Sequence, residues 1–270
     1  MNKPTKLSII TINYNNAKGL QTTINSVLHQ SYKDYQYVII DGGSTDESVQ
    51  VIKKNEKFID FFLSEKDHGI YNAMNKGILN SYGDYCFFLN SGDYFSDNSV
   101  LERVLSFDPS EDIVFGNIIV CLHDKIIGKS LGKKDITYLD LYNSIIKHQA
   151  SFIKRELLIT CGLYNENYQI LSDWEFFLRT IGSCRASYKY IDVDIAFFDN
   201  DGISNNSQEI VSNERLSILN EYLPKIMQPD YIDLSQLNRY KILTEYRVTD
   251  ILIRILRKIT TLLIKGHSLK

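Results

Sequence analysis

The sequence has little of what would mark it as a membrane-spanning, secreted or nucleic-acid-binding protein. No apolar run approaches the roughly 20 residues that a spanning helix needs. The four cysteines, Cys86, Cys121, Cys161 and Cys184, lie far apart. No CxxC pair and no histidine at zinc-ligand spacing accompanies them, which speaks against a metal or disulfide scaffold. The net charge of −3 is too small to imply a polyanionic or strongly acidic partner. The polar start, Met1 to Lys6, runs straight into a strand-like segment with no signal-peptide pattern, so a cytoplasmic location is expected. Neither a GxGxxG fingerprint nor a GxxxxGK[ST] loop follows the first strand-like run. These two absences argue against a nicotinamide enzyme and a P-loop kinase.

What is present is an alternation of strand and helix patterns. Leu7 to Ile12, Tyr37 to Ile40, Ile59 to Leu63 and Tyr85 to Leu89 are short apolar runs. Between them, Leu20, Ile24, Val27 and Leu28 recur at helical spacing, as do Ile70, Ala73, Met74, Gly77 and Ile78. Ser44 or Thr45 is expected to cap the intervening helix. Repeated β-α units predict an α/β fold with a doubly wound, mostly parallel sheet. Further on, Ile113 to Val120, Lys125 to Ser130 and Tyr188 to Phe198 read as strands. Phe152 to Leu158 and Trp174 to Ile181 read as helical, and from Gln208 onward the pattern is mainly helical. The expected organisation is one domain over 1–206, in two parts, 1–93 and 94–206. A helical extension over 207–270 follows.

Ligands of open α/β sheets bind beyond the carboxyl ends of the strands. Three strand ends here carry polar clusters: Asn13-Tyr14-Asn15-Asn16, Asp41-Gly42-Gly43-Ser44-Thr45-Asp46 and Asn90-Ser91-Gly92-Asp93. Around one crevice, Asp41 would accept a hydrogen bond from a base or ribose. Asp93 is a hard oxygen donor suited to Mg²⁺ or Mn²⁺ and, through it, to a diphosphate.

These segments, in this order, resemble glycosyltransferase family 2. Asp67-His68-Gly69-Ile70-Tyr71-Asn72-Ala73-Met74-Asn75-Lys76-Gly77-Ile78 is similar to a segment of its bacterial polysaccharide-assembly members. His148-Gln149-Ala150-Ser151-Phe152 and Ser172-Asp173-Trp174-Glu175 continue the resemblance, which covers about residues 6–205. It implies the GT-A fold and an inverting, metal-dependent transfer of a hexose from a nucleotide sugar, UDP-linked, to a glycan hydroxyl. The acceptor would be lipid-linked on a polyprenyl diphosphate, in polysaccharide or O-antigen assembly. By the same resemblance Asn13, Tyr14, Asp41, Asp67, Asn75, Lys76, Ser91 and Asp93 surround the donor, with Asp93 as metal ligand. Ser91 stands where the family has the first acid of its Asp-x-Asp motif. Asp173 matches the catalytic base, and His148, Trp174 and Glu175 lie on the acceptor side. Two other readings stay open at this point. One is a sugar-nucleotide nucleotidyltransferase, although only Gly19 is available for its glycine-rich loop. The other is a non-catalytic nucleotide-binding member of a membrane assembly.

The C-terminus is unlike the rest. Residues 239–270 hold eight Lys or Arg against Glu245 and Asp250, a formal +6 that leaves −9 on residues 1–238. Val248, Ile251, Leu252, Ile255, Ile259, Leu262 and Leu263 share one helical face, with Arg247, Arg254, Lys258 and Lys265 beside it. A basic amphipathic helix of this kind is expected to lie on an anionic inner leaflet.

Overall fold

The computed structural model describes residues 6–122, 125–199 and 207–231, with 233, 251, 252, 254 and 256 as separate positions. The chain forms two compact units, Met1–Tyr222 and Leu223–Lys270. The first unit therefore extends past the boundary expected at 206. The second holds a short helical turn, Lys225–Met227. Most of the basic tail lies outside the described residues.

In the first unit, β1 (Leu7–Asn13) is buried along its whole length, as its near-continuous apolar run requires. Helix α1 (Ala17–Leu28) is capped by Asn16, whose side chain accepts from Gly19 N, and it buries Leu20, Ile24 and Val27. Then come β2 (Tyr35–Asp41), α2 (Ser48–Asn55), β3 (Phe61–Ser64), α3 (Ile70–Leu79) and β4 (Tyr85–Phe88). The helix cap expected at Ser44 or Thr45 is not there. Helix α2 begins later, with Asp46 Oδ1 accepting from Ser48 N at 3.0 Å, because the Ser44 hydroxyl is committed to Asp41.

The second half continues with β5 (Tyr94–Phe95), α4 (Val100–Ser106), β6 (Ile113–Leu122), β7 (Lys125–Ser130) and α5 (Tyr138–Tyr142). It ends with β8 (Ser151–Lys154), α6 (Arg155–Thr160), α7 (Ser172–Phe177), β9 (Tyr188–Asp199) and α8 (Gln208–Tyr222). The helical reading of Phe152 to Leu158 is corrected: this stretch is strand β8 turning directly into α6.

The nine strands among the described residues make one sheet in the order β3-β2-β1-β4-β8-β6-β9-β5, with β7 paired to β6. Strands β3, β2, β1 and β4 are mutually parallel. β8 runs antiparallel to β4 and β6, while β6 and β9 are parallel. One apolar cluster continues across the sheet, from Ile39 and Leu7 through Phe87 and Phe152 to Val114 and Ile195. The carboxyl ends of β1, β2 and β3 thus lie side by side, with the Asn90–Asp93 loop following β4 next to β1.

Candidate functional site

The first cluster is built on these strand ends. Asp41 closes β2 opposite Asn13 of β1 and Ser64 of β3. It is fully buried. Asn13 Nδ2 at 2.8 Å and Ser44 Oγ at 2.6 Å donate to Oδ1. Ser64 Oγ at 2.7 Å and Ser44 N at 3.0 Å donate to Oδ2. Burial pushes this carboxyl up, but the bonds from Ser44, Ser64 and Asn13 outweigh it and hold the group below its ordinary range. An ionised carboxylate offers about four lone-pair sites, and here each has a protein donor. These four bonds tie Asp41 to the ends of β1 and β3, next to the Tyr14 ring and the Asp67 carboxylate.

Those groups converge at Gly42. A Cβ placed there would meet Asp67 Oδ2 at 2.3 Å and the Tyr14 ring at 3.3 Å, so the carboxylate and the ring occupy the space a side chain would take. Tyr14 is 65% exposed, which leaves its face open to a flat ligand. Asp67 Oδ1 is braced by Gly69 N at 3.0 Å. Asn13 Oδ1 is buried without a hydrogen-bond partner. At Gly43 the backbone has φ +80°, and a Cβ would press on the Lys66 backbone, so only glycine carries the turn without strain.

The Asn90–Asp93 loop is tied to the first turns of α1. Thr23 Oγ1 lies 3.0 Å from Gly92 N and 2.7 Å from Asp93 O. Asn16 Nδ2 donates to Ser91 O at 3.1 Å, and Ser91 Oγ donates to Asn16 O at 3.2 Å. Ser91 therefore holds the loop. Asp93 is the loop's carboxylate, at 6% exposure. Among the described residues no three His, Cys, Asp or Glu converge as a metal cage. Asp93 is a hard oxygen donor of the kind a Mg²⁺-like ion would take together with substrate phosphates and water.

The third cluster surrounds Asp173 at the start of α7. His148 Nδ1 is 2.8 Å from Asp173 Oδ2. Tyr71 Oη is 3.0 Å from Asp173 Oδ1 and 2.5 Å from Ile170 O. On its far side, His148 Nε2 faces Asn90 Nδ2 at 3.5 Å. The chain Asp173–His148–Asn90 thus connects a carboxylate to the loop that bears Asp93. Asp173 is half-buried and His148 buried. Burial pushes the Asp173 carboxyl up; the hydrogen-bonded His148 ring leads the groups that hold it below the usual range.

The remaining residues singled out from the sequence are placed otherwise. Asn75 donates to Tyr164 O (2.9 Å) and Glu166 Oε1 (2.8 Å) and accepts from Tyr164 N (3.0 Å), so it staples α3 to the segment before α7. Lys76 pairs with Glu65 at 2.7 Å. Trp174 is 2% exposed, donates to Leu141 O at 2.8 Å and carries Arg215 over its ring at 4.5 Å. Its faces are taken, and it packs the wall behind Asp173 rather than offering a platform to a sugar. Glu175 is buried against Arg179 (2.7 Å) and Tyr222 Oη (2.5 Å). The sequence reading missed Tyr71, Asn90, Thr23 and Glu166 as parts of the site. Asn90 carried a signal in its place at a strand end, and Tyr71 in the family-like segment 67–78.

Comparison with known proteins bears on family and fold. Residues 8–155 match the model of glycosyl transferase family 2. A PGL/p-HBAD biosynthesis glycosyltransferase of Mycobacterium bovis is 33% identical over 221 residues, 78% of this chain and 83% of that protein. An uncharacterized glycosyltransferase of Haemophilus influenzae is 32% identical over 197 residues, 70% of this chain and 77% of that protein. The structure of S. aureus TarS 1–349 in complex with UDP-GlcNAc is similar with a TM-score of 0.60 at 16% identity, covering 84% of this chain and 79% of that one. Mannosyltransferase PcManGT from Pyrobaculum calidifontis, in complex with GDP-Man and Mn²⁺, gives 0.59 at 13%, covering 84% and 68%. At these identities the structural likeness speaks for the fold.

Proposed function

The chain belongs to glycosyltransferase family 2, and from that premise we propose that it moves a hexose from a UDP-linked sugar to a hydroxyl of a lipid-linked glycan, with inversion. The observation that carries this reading is the Asp173–His148–Asn90 chain. It sets a carboxylate beside the loop whose Asp93 would meet the diphosphate. One group that takes a proton and one that holds the leaving group are what a single in-line displacement needs. The structural neighbours with UDP-GlcNAc and with GDP-Man support a nucleotide-sugar donor. The M. bovis relative, a PGL/p-HBAD biosynthesis glycosyltransferase, supports glycosyl transfer in a biosynthetic role.

In this mechanism Tyr14 stacks on the base and Asp67 accepts its imide N–H, while Asp41 fixes Asn13 and Ser44 beneath them. A divalent cation, Mg²⁺ or Mn²⁺, held by Asp93 would neutralise charge on the departing diphosphate. Asp173 accepts the proton of the attacking hydroxyl as the new glycosidic bond forms, and His148 keeps the carboxylate turned toward it. The enzyme would work at the inner face of the cytoplasmic membrane, where a polyprenyl-linked acceptor is confined.

The test is incubation with a panel of nucleotide sugars and a lipid-diphosphate sugar acceptor, read by mass spectrometry. Asp173→Asn should lower the rate of the productive pair about 10²–10⁴-fold, with nucleotide affinity retained. A variant transferring at the wild-type rate would sink the base assignment. Release of pyrophosphate from UTP and a sugar phosphate would instead select the nucleotidyltransferase reading.

A further inference from the structure

We infer that Lys147, with Arg215 near it, receives an oxyanion of the acceptor: the diphosphate that joins the acceptor's first sugar to its lipid. The inference deepens the reading of the chain as a transferase acting on a lipid-linked glycan, and it rests on that reading. Lys147 directly precedes His148, whose ring is 2.8 Å from Asp173. Its backbone is pinned, because Lys147 O accepts from Ala150 N at 3.0 Å and from Ser151 Oγ at 2.7 Å. The residue is half-buried. Burial, the Asp173 carboxylate and the Arg215 guanidinium are what act on its ammonium, and no hydrogen bond is among them. Arg215 reaches in from α8. Its guanidinium lies 4.5 Å over the ring of Trp174, the neighbour of Asp173, and donates to Tyr142 O at 2.6 Å.

Two cations are thus brought toward one carboxylate whose oxygens already meet His148 and Tyr71. Burial disfavours an ammonium and a like charge disfavours it further. Together they hold Lys147 below its ordinary value against the pull of Asp173. A half-buried cation without a hydrogen-bonded partner destabilises the folded chain, and such conflicts collect at functional sites. A diphosphate resolves this one. It accepts charge-assisted bonds from the ammonium, and the guanidinium nearby adds its attraction. The place suits an acceptor. The attacking hydroxyl must meet Asp173, and the lipid diphosphate begins at the anomeric oxygen of the same sugar, across the ring. The donor's diphosphate is assigned to Asp93 and its cation, so each diphosphate has its own holder. No bond forms or breaks at Lys147; it selects the acceptor class.

Two acceptors with the same sugar test this, one linked through diphosphate to a short prenyl chain and one a neutral alkyl glycoside. Lys147→Gln should raise KM for the diphosphate acceptor about 10–100-fold, the worth of one charge-assisted hydrogen bond. KM for the neutral glycoside and affinity for UDP should stay almost unchanged. Lys147→Arg keeps the charge and should restore most of the preference. An equal loss with both acceptors would overturn the inference, since a lysine that only tunes Asp173 or supports the fold gives that result. Weakened UDP binding would place the cation on the donor side and also reject it. A readout without turnover uses geranyl diphosphate as probe, with UDP saturating the donor site. In calorimetry it should bind wild-type protein about 10–100-fold more tightly than Lys147→Gln; equal binding excludes the site. If Lys147→Gln fails to fold, acylation of Lys147 in the wild-type protein, followed by mass spectrometry, decides. Geranyl diphosphate should slow it and geraniol should not; an unchanged rate with both rejects the site. Asp173→Asn with a wild-type rate would remove the base reading, an outcome distinct from any of these binding results.

Discussion

At the scale of single residues, the four donors around Asp41 link the crevice's shape to acidity. The carboxyl titrates below its ordinary value because Ser44, Ser64 and Asn13 bind the charged form more strongly than burial disfavours it. A depressed folded-state value means that the stabilisation is present above the unfolded value, about 3.9, and is lost as pH falls through the folded one. Asp41→Asn keeps the size but presents a donor to the hydroxyls and the Ser44 amide, leaving buried donors unmatched at about 1–3 kcal/mol. In urea denaturation this deficit should be full at pH 7 and shrink below about pH 4. A deficit of equal size at both ends of that range would show that the carboxylate's charge plays no part.

At the scale of elements, the Asn90–Asp93 loop depends on α1. The Thr23 hydroxyl contacts both Gly92 N and Asp93 O, so one side chain fixes the height of the loop over the helix. Thr23→Val is nearly isosteric and removes both contacts, a cost of about 1–3 kcal/mol. The loop should loosen, and the Mg²⁺ or Mn²⁺ concentration for half-maximal transfer should rise severalfold, with nucleoside binding almost unchanged. An unaltered metal titration would mean that the loop is held by its other ties alone. The strands that carry this loop were legible in the sequence because β1, β2 and β4 are short apolar runs ended by polar clusters. The switch from β8 to α6 was not. Phe152, Ile153, Leu157 and Leu158 imitate a helical spacing, and no glycine or proline separates strand from helix. The surroundings of Asp173 were illegible for another reason. Tyr71 meets Asp173 across 102 residues, and in sequence it is one more aromatic in an amphipathic helix. Asp173 and His148 were singled out through family resemblance, whereas their contacts with Tyr71 and Asn90 needed coordinates.

At the scale of the whole molecule, the notable feature is the separation of charge: +6 on residues 239–270 and −9 on 1–238. No helix among the described residues is long and apolar enough to cross a membrane. An enzyme acting on a polyprenyl-linked acceptor must still reach the bilayer surface, and the tail has the composition for it. The apolar positions Val248, Ile251, Leu252, Ile255, Ile259, Leu262 and Leu263 fall on one face of a 3.6-residue period. Arg247, Arg254, Lys258 and Lys265 lie within about 40° of one another beside it. Each basic residue held near an anionic leaflet contributes about 1 kcal/mol, so four would retain the protein at low salt and release it as salt screens the surface. Deletion of residues 246–270 should therefore move the enzyme from liposomes containing anionic lipid to the soluble fraction. Transfer to a short water-soluble acceptor should survive, because Asp67, Asp93 and Asp173 all belong to the first compact unit. Wild-type protein that ignores such liposomes at low salt would exclude membrane attachment. A truncated chain that unfolds would show instead that the tail's apolar face is needed inside the protein.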